Sequence, residues 1–161
     1  MFCSKQPRFK QSRSESSRAI LSQPGNASSP HCLFVYGTLQ LPERVHAIIG
    51  RALTGIPAQL EEYRCGCVTR ADFPGIVPDK MECTRGQLLK NLSHADLLHL
   101  DAYEGELYRR VRVNVLCDSA SCQKTSAWVY VIAPWAQTRV TRLPWSVEWY
   151  RQQRKRLTYR S

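Results

Sequence analysis

The apolar positions of this chain fall into short runs separated by glycine, proline and charge. The period of each run predicts its element. Cys32-Leu33-Phe34-Val35-Tyr36 is continuously apolar and predicts a buried strand. Gly37-Thr38 breaks it. Pro42 suits a first helical turn, Val45, Ile48 and Ile49 share one side of that helix, and Gly50 is its natural stop. Residues 52–60 and 63–69 predict a pair of strands. Asp72-Phe73-Pro74-Gly75-Ile76-Val77-Pro78 predicts a loop, because two prolines and a glycine exclude a regular central strand.

Cys83 to Leu89 predicts a strand with Gly86 at its centre. Ser93 then opens a helix, with Asp96 three residues on as a capping box in which Asp replaces the usual Glu. Leu97, Leu100 and Glu104 follow at helical spacing, so the apolar stripe leads directly to a carboxylate, and Gly105 ends the helix. From Tyr108 to Cys117 the chain alternates, with Val111, Val113 and Val115 facing one way and Arg110, Arg112 and Asn114 the other. Lys124 to Ala133 predicts another strand, joined to the previous one through residues 118–123 as a hairpin. Pro144 to about Arg156 predicts a final helix with Trp145, Trp149 and a basic far side. This order lacks βαβ alternation. It predicts helices with a mixed or largely antiparallel sheet.

Composition narrows the picture without naming a function. A chain of 161 residues with 43% hydrophobic and 22% charged content is expected to fold as one domain over 31–161. No apolar run approaches the roughly 18–20 residues that span a bilayer, so no membrane partner is expected. Residues 1–30 are Ser- and Arg-rich, carry few large apolar side chains and predict a disordered basic tail. Their acid-poor composition also fits an organellar transit segment, and an extension from an upstream start fits equally. The net charge is +10, and its largest concentrations are this tail and the stretch after Glu148. The middle is close to balanced, so nucleic acid is not the expected partner. The seven cysteines are odd in number and no secretory signal is visible, which predicts free thiols in the cytoplasm. Cys65-Gly66-Cys67 puts two sulfurs on one face of a strand, yet no zinc-type spacing is duplicated, so no metal site is expected. Symmetric contacts leave no local signature, and the oligomeric state stays open.

Candidate chemistry centres on two places. Tyr36-Gly37-Thr38-Leu39 carries a strand through glycine toward a helix start, where backbone N–H groups suit a carboxylate. It contains neither nucleotide-binding glycine pattern, and alone it reads more readily as an ordinary tight turn than as an anion site. Glu104 stands in an apolar setting of Leu97, Leu98, Leu100, Tyr103 and Leu107. Partial burial there raises a carboxyl pKa, which suits a general acid or base. Glu106, beyond the glycine, is expected to face water. The four histidines show no catalytic pairing, and no G-x-S-x-G elbow is present.

These residues bring the chain to a family. Leu33-Phe34-Val35-Tyr36-Gly37-Thr38-Leu39, Phe73-Pro74-Gly75-Ile76, Gly86-Gln87-Leu88-Leu89, Leu100-Asp101-Ala102-Tyr103-Glu104-Gly105 and Tyr108-Arg109-Arg110-Val111-Arg112-Val113 stand in this order. Together they resemble the γ-glutamylcyclotransferase-like superfamily over about residues 32–150, especially the branch of γ-glutamylamine cyclotransferase and the plant avirulence-induced proteins. The resemblance implies an α+β fold, a small mixed, barrel-like sheet with flanking helices. It implies cleavage of a γ-glutamyl amide by internal cyclisation to 5-oxoproline and a free amine, without metal or cofactor. On that analogy Tyr36, Gly37, Thr38 and Leu39 hold the glutamyl head of a small-molecule substrate. Glu104 is then the catalytic acid–base residue, and Phe73, Pro74 and Tyr108 shape the pocket. Where many relatives continue with a basic residue, glycine and asparagine, this chain has Gln40-Leu41-Pro42-Glu43-Arg44, which is similar to the plant-type branch. Two alternatives carry other expectations: a non-catalytic small-ligand module on the same fold, and a nucleic-acid adaptor working through the basic ends.

Overall fold

The computed structural model describes residues 29–118 and 123–158. The tail expected over 1–30 lies outside the described residues except for Ser29 and Pro30, and Cys3 and Cys122 lie outside them as well. Five strands close a barrel in the order β1, β3, β2, β4, β5. They are β1 His31–Val35, β2 Ile56–Cys67, β3 Pro74–Leu92, β4 Tyr108–Cys117 and β5 Lys124–Ile132. Neighbours run antiparallel except β1 and β5, whose parallel pairing of Leu33 with Trp128 and Phe34 with Val129 closes the ring. The helices are α1 Pro42–Ile49, α2 His94–Glu104 and α3 Val147–Thr158.

The continuous apolar run of β1 reflects burial on both faces. Phe34 and Tyr36 pack with Leu60, Ile76, Leu88, Val115 and Val129, a cluster drawn from all five strands and therefore the barrel interior. Leu33 and Val35 point the other way and pack with Val45 of α1 and Leu97 and Leu100 of α2. Each of these side chains contributes about 1.5–3 kcal/mol by leaving water. Both helices are thus pinned to the strand that leads into the Tyr36–Leu39 turn.

The local signals of α1 and α2 act as their chemistry requires. Pro42 opens α1, and Gly50 ends it in the left-handed region at φ 78°. Ser93 caps α2: the Asp96 N–H donates to Ser93 Oγ at 3.1 Å and the Ser93 N–H donates to Asp96 Oδ2 at 2.7 Å. Arg51 joins this box through Nη1 and Nη2, and its guanidinium holds the Asp96 carboxyl down at about 2.

Two expectations are corrected. Residues 52–60 and 63–69 are not a pair of strands. One strand, β2, runs through both and bends at a bulge between Glu61 and Tyr63, where Glu62 takes φ 62°. Residues 74–78 are not loop either. They begin β3 and pair with β2 from Cys67–Pro74 to Tyr63–Pro78. The prolines are tolerated because Pro74 is the first residue of the strand and Pro78 sits beside the β2 bulge. Over this half, β2 is the ladder partner of β3 among the described residues, and β1 joins only from Gln87 onward. The final helix starts three residues later than expected, with Ser146 Oγ accepting from the Trp149 N–H at 3.1 Å as an N-cap.

Candidate active site

A cavity of about 570 Å³ opens where the end of β1, the end of α2 and the start of β3 meet. Tyr36, Gly37, Thr38, Leu39, Phe73, Pro74, Glu104 and Tyr108 all line it. Each is positioned by a local cause. Past Val35 the chain turns through Gly37 into a short 3-10 turn over Thr38–Gln40, whose first bond runs from the Gln40 N–H to the Gly37 carbonyl at 3.0 Å. The N–H groups of Thr38 and Leu39 therefore have no partner within the turn, and both residues line the cavity. The Gln40 side chain donates to the Tyr36 carbonyl at 2.8 Å and fixes the turn from behind.

Gly37 is required by space rather than by φ. A Cβ there would stand 2.9 Å from Pro74 Cγ. Its absence lets the turn close against the Phe73-Pro74 segment. The far side of that segment is tied by Tyr108, whose hydroxyl donates to the Pro74 carbonyl at 2.6 Å while its ring packs against Phe73. Burial, then the nearby Glu104 charge, pushes the Tyr108 hydroxyl well above the ordinary phenol range. Tyr36 is raised likewise, first by burial, and its hydroxyl donates to the Tyr130 carbonyl at 2.8 Å. Both tyrosines stay neutral and act as structural donors.

Helix α2 presents two carboxylates one turn apart, and their surroundings separate them. Asp101 receives a bidentate Arg110 guanidinium at 2.7 and 2.9 Å and the Tyr130 hydroxyl at 2.8 Å. These donors, Arg110 foremost, hold it below the usual carboxylate range. Arg110 is itself held over the Trp128 ring, 4.5 Å from its centre. Glu104 is half-buried against the cavity, and burial alone pushes its carboxyl up to about 7. One group is a fixed anion that orients the helix end; the other exchanges a proton near neutral pH. Such divergence between neighbouring carboxyls is how acid–base assignments are recognised. Glu106 is exposed, as its position past Gly105 predicts, although it too reaches the cavity rim.

The raised Glu104 pKa carries a stability prediction. Below about 4.5, the ordinary value, both folded and unfolded chains are protonated at this site. Between that value and about 7 the unfolded chain ionises first, so folding stability falls as pH rises. The loss is at most about 3 kcal/mol. Urea unfolding from pH 4 to 8 is expected to show this decline, and Glu104→Gln is expected to flatten it.

Four further cavity residues carry no local sequence signal of that role: Arg44 of α1, Tyr130 of β5, and Tyr150 and Arg154 of α3. The basic face of the last helix reads in sequence as a solvated surface. Only the docking of Tyr150 onto α1, where Arg44 Nη2 donates to its hydroxyl at 2.9 Å, brings that face to the cavity. Trp145, just before α3, packs against the Tyr150 ring and donates Nε1 to the Asp72 carbonyl at 2.9 Å, which ties the start of α3 to the segment before Phe73. Among the described residues, no group of three or more His, Cys, Asp or Glu side chains is arranged to hold a metal ion.

The family described as "Gamma-glutamyl cyclotransferase, AIG2-like" matches residues 33–151. Among curated proteins, AIG2-like protein D of Arabidopsis thaliana is 29% identical over 103 residues, 64% of this chain and 68% of that protein. Protein AIG2 A of the same plant is 34% identical over 89 residues, 55% of this chain and 52% of that protein. The matched stretches thus span from about half to about two thirds of these relatives' length. Among solved structures, the solution structure of an Arabidopsis thaliana protein superposes with a TM-score of 0.66 at 27% identity, covering 82% of this chain and 81% of that one. A mouse AIG2-like protein gives 0.59 at 22% identity, covering 73% and 86%. A gamma-glutamyl cyclotransferase gives 0.56 at 19%, covering 65% and 68%. The last two likenesses establish the shared fold.

Proposed function

The chain belongs to the gamma-glutamyl cyclotransferase, AIG2-like family, and on that premise we propose that it cleaves a γ-glutamyl amide by internal cyclisation. The observation that carries this reading is the half-buried Glu104 carboxyl, held at about 7 beside a cavity floored by the Tyr36–Leu39 turn. The substrate's α-carboxylate binds at the Thr38 and Leu39 N–H groups. Its α-ammonium lies toward Glu104, which removes a proton. The freed amine attacks the δ-carbonyl, forming a nitrogen–carbon bond and a five-membered ring. The same carboxyl returns this proton to the departing nitrogen as the amide carbon–nitrogen bond breaks, then relays the second proton lost by the ring nitrogen, so that the amine leaves as an ammonium. The products are 5-oxoproline and a free amine, with every proton accounted for and no redox change.

The cavity supplies two further advantages. Ring closure is intramolecular, so holding the glutamyl chain folded removes much of its entropic barrier. Phe73, Pro74 and Tyr108 wall off water from a reaction in which water is no reactant. The reaction is proposed for the cytoplasm, in keeping with free thiols at Cys32, Cys65, Cys67, Cys83 and Cys117. No helix among the described residues is long and apolar enough to cross a membrane.

Incubation with a panel of γ-glutamyl amines and peptides, followed by chromatography for 5-oxoproline, tests the proposal. Product is expected, with kcat/KM rising through about pH 7 as Glu104 ionises. Ligand-induced thermal stabilisation without product from any member of the panel would instead favour a non-catalytic binding module.

A further inference from the structure

Helix α2 is apolar on both of its long sides. Leu97 and Leu100 pack beneath it against β1, and the opposite side is open. Ala95, Leu98, His99 and Ala102 share that open side, because a helix returns to the same face every three or four residues. Tyr103 continues it at the C-terminal end. Leu98 is 52% exposed and Tyr103 44%. A surface helix ordinarily turns charge to water on this side. Here none of the exposed side chains is Asp, Glu, Lys or Arg. All three carboxylates of the helix are used elsewhere. Asp96 is buried in the box with Arg51, Asp101 is clamped by Arg110, and Glu104 is half-buried at the cavity. Helix α3 makes the contrast, with Arg151, Arg154, Lys155 and Arg156 all exposed.

We propose that this face of α2 docks a second copy of the chain, packed antiparallel across a two-fold axis that passes between residues 98 and 99. The order of the side chains points to a copy of itself. A two-fold axis exchanges positions at equal distances on either side of it. Ala95 of one copy then meets Ala102 of the other, and the same contact recurs across the axis. These small side chains let the two helix axes approach to the short end of the usual range of about 8–10 Å. Leu98 lies beside the axis and packs on its own counterpart, which takes an exposed apolar side chain out of water in both copies. Charge argues the same way. A chain of net charge +10 repels its copies, and a face without formal charge is where they approach at least cost. An acidic partner would instead be drawn to α3. Each α2 has 11 residues and is about 16 Å long. Two such faces bury less than the roughly 1,200 Å² of a standard interface, so the dimer is expected to be weak, with a Kd of roughly tens of micromolar. The docking is independent of the cyclisation reading.

Sedimentation velocity on the full chain tests this from about 1 to about 300 μM, in reductant so that no disulfide links two copies. A shift from one chain to two is expected across that range. Leu98→Lys and Leu98→Glu each set like charges beside the axis and are expected to weaken association at least about tenfold. Leu98 is exposed, so the unfolding midpoint of either variant is expected to stay at that of the parent. Ala102→Trp is expected to weaken the dimer with no change of charge. An equimolar mixture of the Leu98→Lys and Leu98→Glu proteins is expected to restore it, since the substituted side chains then face each other with opposite sign. A contact between one residue and its own counterpart is what makes that rescue possible. A parent chain that stays single at about 300 μM would overturn the proposal and leave the face to a different partner. A dimer that survives both single substitutions would overturn it by placing the interface elsewhere. A mixture that stays monomeric would overturn the two-fold, antiparallel arrangement.

Discussion

Glu104→Gln is expected to lower 5-oxoproline formation roughly a thousandfold, within the range that a positioned acid–base group supplies. The substitution keeps the size of the side chain and its place at the end of α2, but it removes the proton acceptor. The α-ammonium of a bound substrate then has no base beside it at neutral pH. The fold is expected to survive and to gain stability at pH 8. There the wild-type chain holds a half-buried carboxylate whose ionisation burial opposes, and the amide carries no charge to desolvate. Loss of activity with an equal or higher unfolding midpoint is therefore the expected signature. Glu106→Gln, one residue past the glycine and exposed, is expected to change turnover less than threefold or so. Comparable losses in both variants, or full activity in Glu104→Gln, would remove Glu104 from the reaction.

Gly86→Ala is expected to be among the most damaging single methyl groups in the barrel, costing about 3 kcal/mol or more. Gly86 lies on β3 opposite Ala58 of β2, beside the point where β1 begins to pair. A Cβ there would run into the Val35 carbonyl oxygen and the edge of the Phe34 ring. Neither can step aside freely. The carbonyl belongs to the β1 backbone, and Phe34 is 1% exposed among core side chains. Against a typical total stability of about 5–15 kcal/mol, such a loss leaves little margin. Because Val35 leads directly into Tyr36 and Gly37, displacing β1 also displaces the cavity floor. Chemical denaturation should show the lost stability, and turnover should fall further than the unfolded fraction explains. Gly50→Ala makes the contrast. Its φ of 78° disfavours a side chain, yet nothing lies within 4 Å of the added carbon. Its cost is expected to stay near the roughly 1 kcal/mol of the backbone term. A Gly86→Ala protein as stable as Gly50→Ala would show that β1 and β3 are less tightly apposed than described.

Much of the fold was legible because its signals are local. A capping box works over three residues, so Ser93 and Asp96 announced α2. Gly105 announced its end, and Leu97 and Leu100 announced its buried face. Alternation over 108–117 and the following apolar run likewise gave the β4–β5 hairpin. The prolines misled for a reason of the same kind. Within their own segment Pro74 and Pro78 read as chain breakers, whereas their tolerance depends on where β2 bends and on which side β1 starts. Neither fact is local to residues 72–78.

The candidate site divides along the same line. By itself the sequence determined the parts: a strand ending in Gly37, a helix whose apolar stripe runs into Glu104, and a Phe73-Pro74 segment that marks the family. Backbone propensity and periodicity act within a turn or two of chain, and those residues carry them. Only the tertiary structure decided which carboxylate is held as an anion and which is desolvated. Asp101 and Glu104 are both acidic residues of one helix, and what separates them is Arg110 on one and desolvation on the other. Only the tertiary structure, too, carried Arg44 and Arg154 to the cavity, through a helix whose sequence reads as solvated. Charge pairing and burial depend on what packs nearby in space, and those neighbours come from elements far apart in the chain.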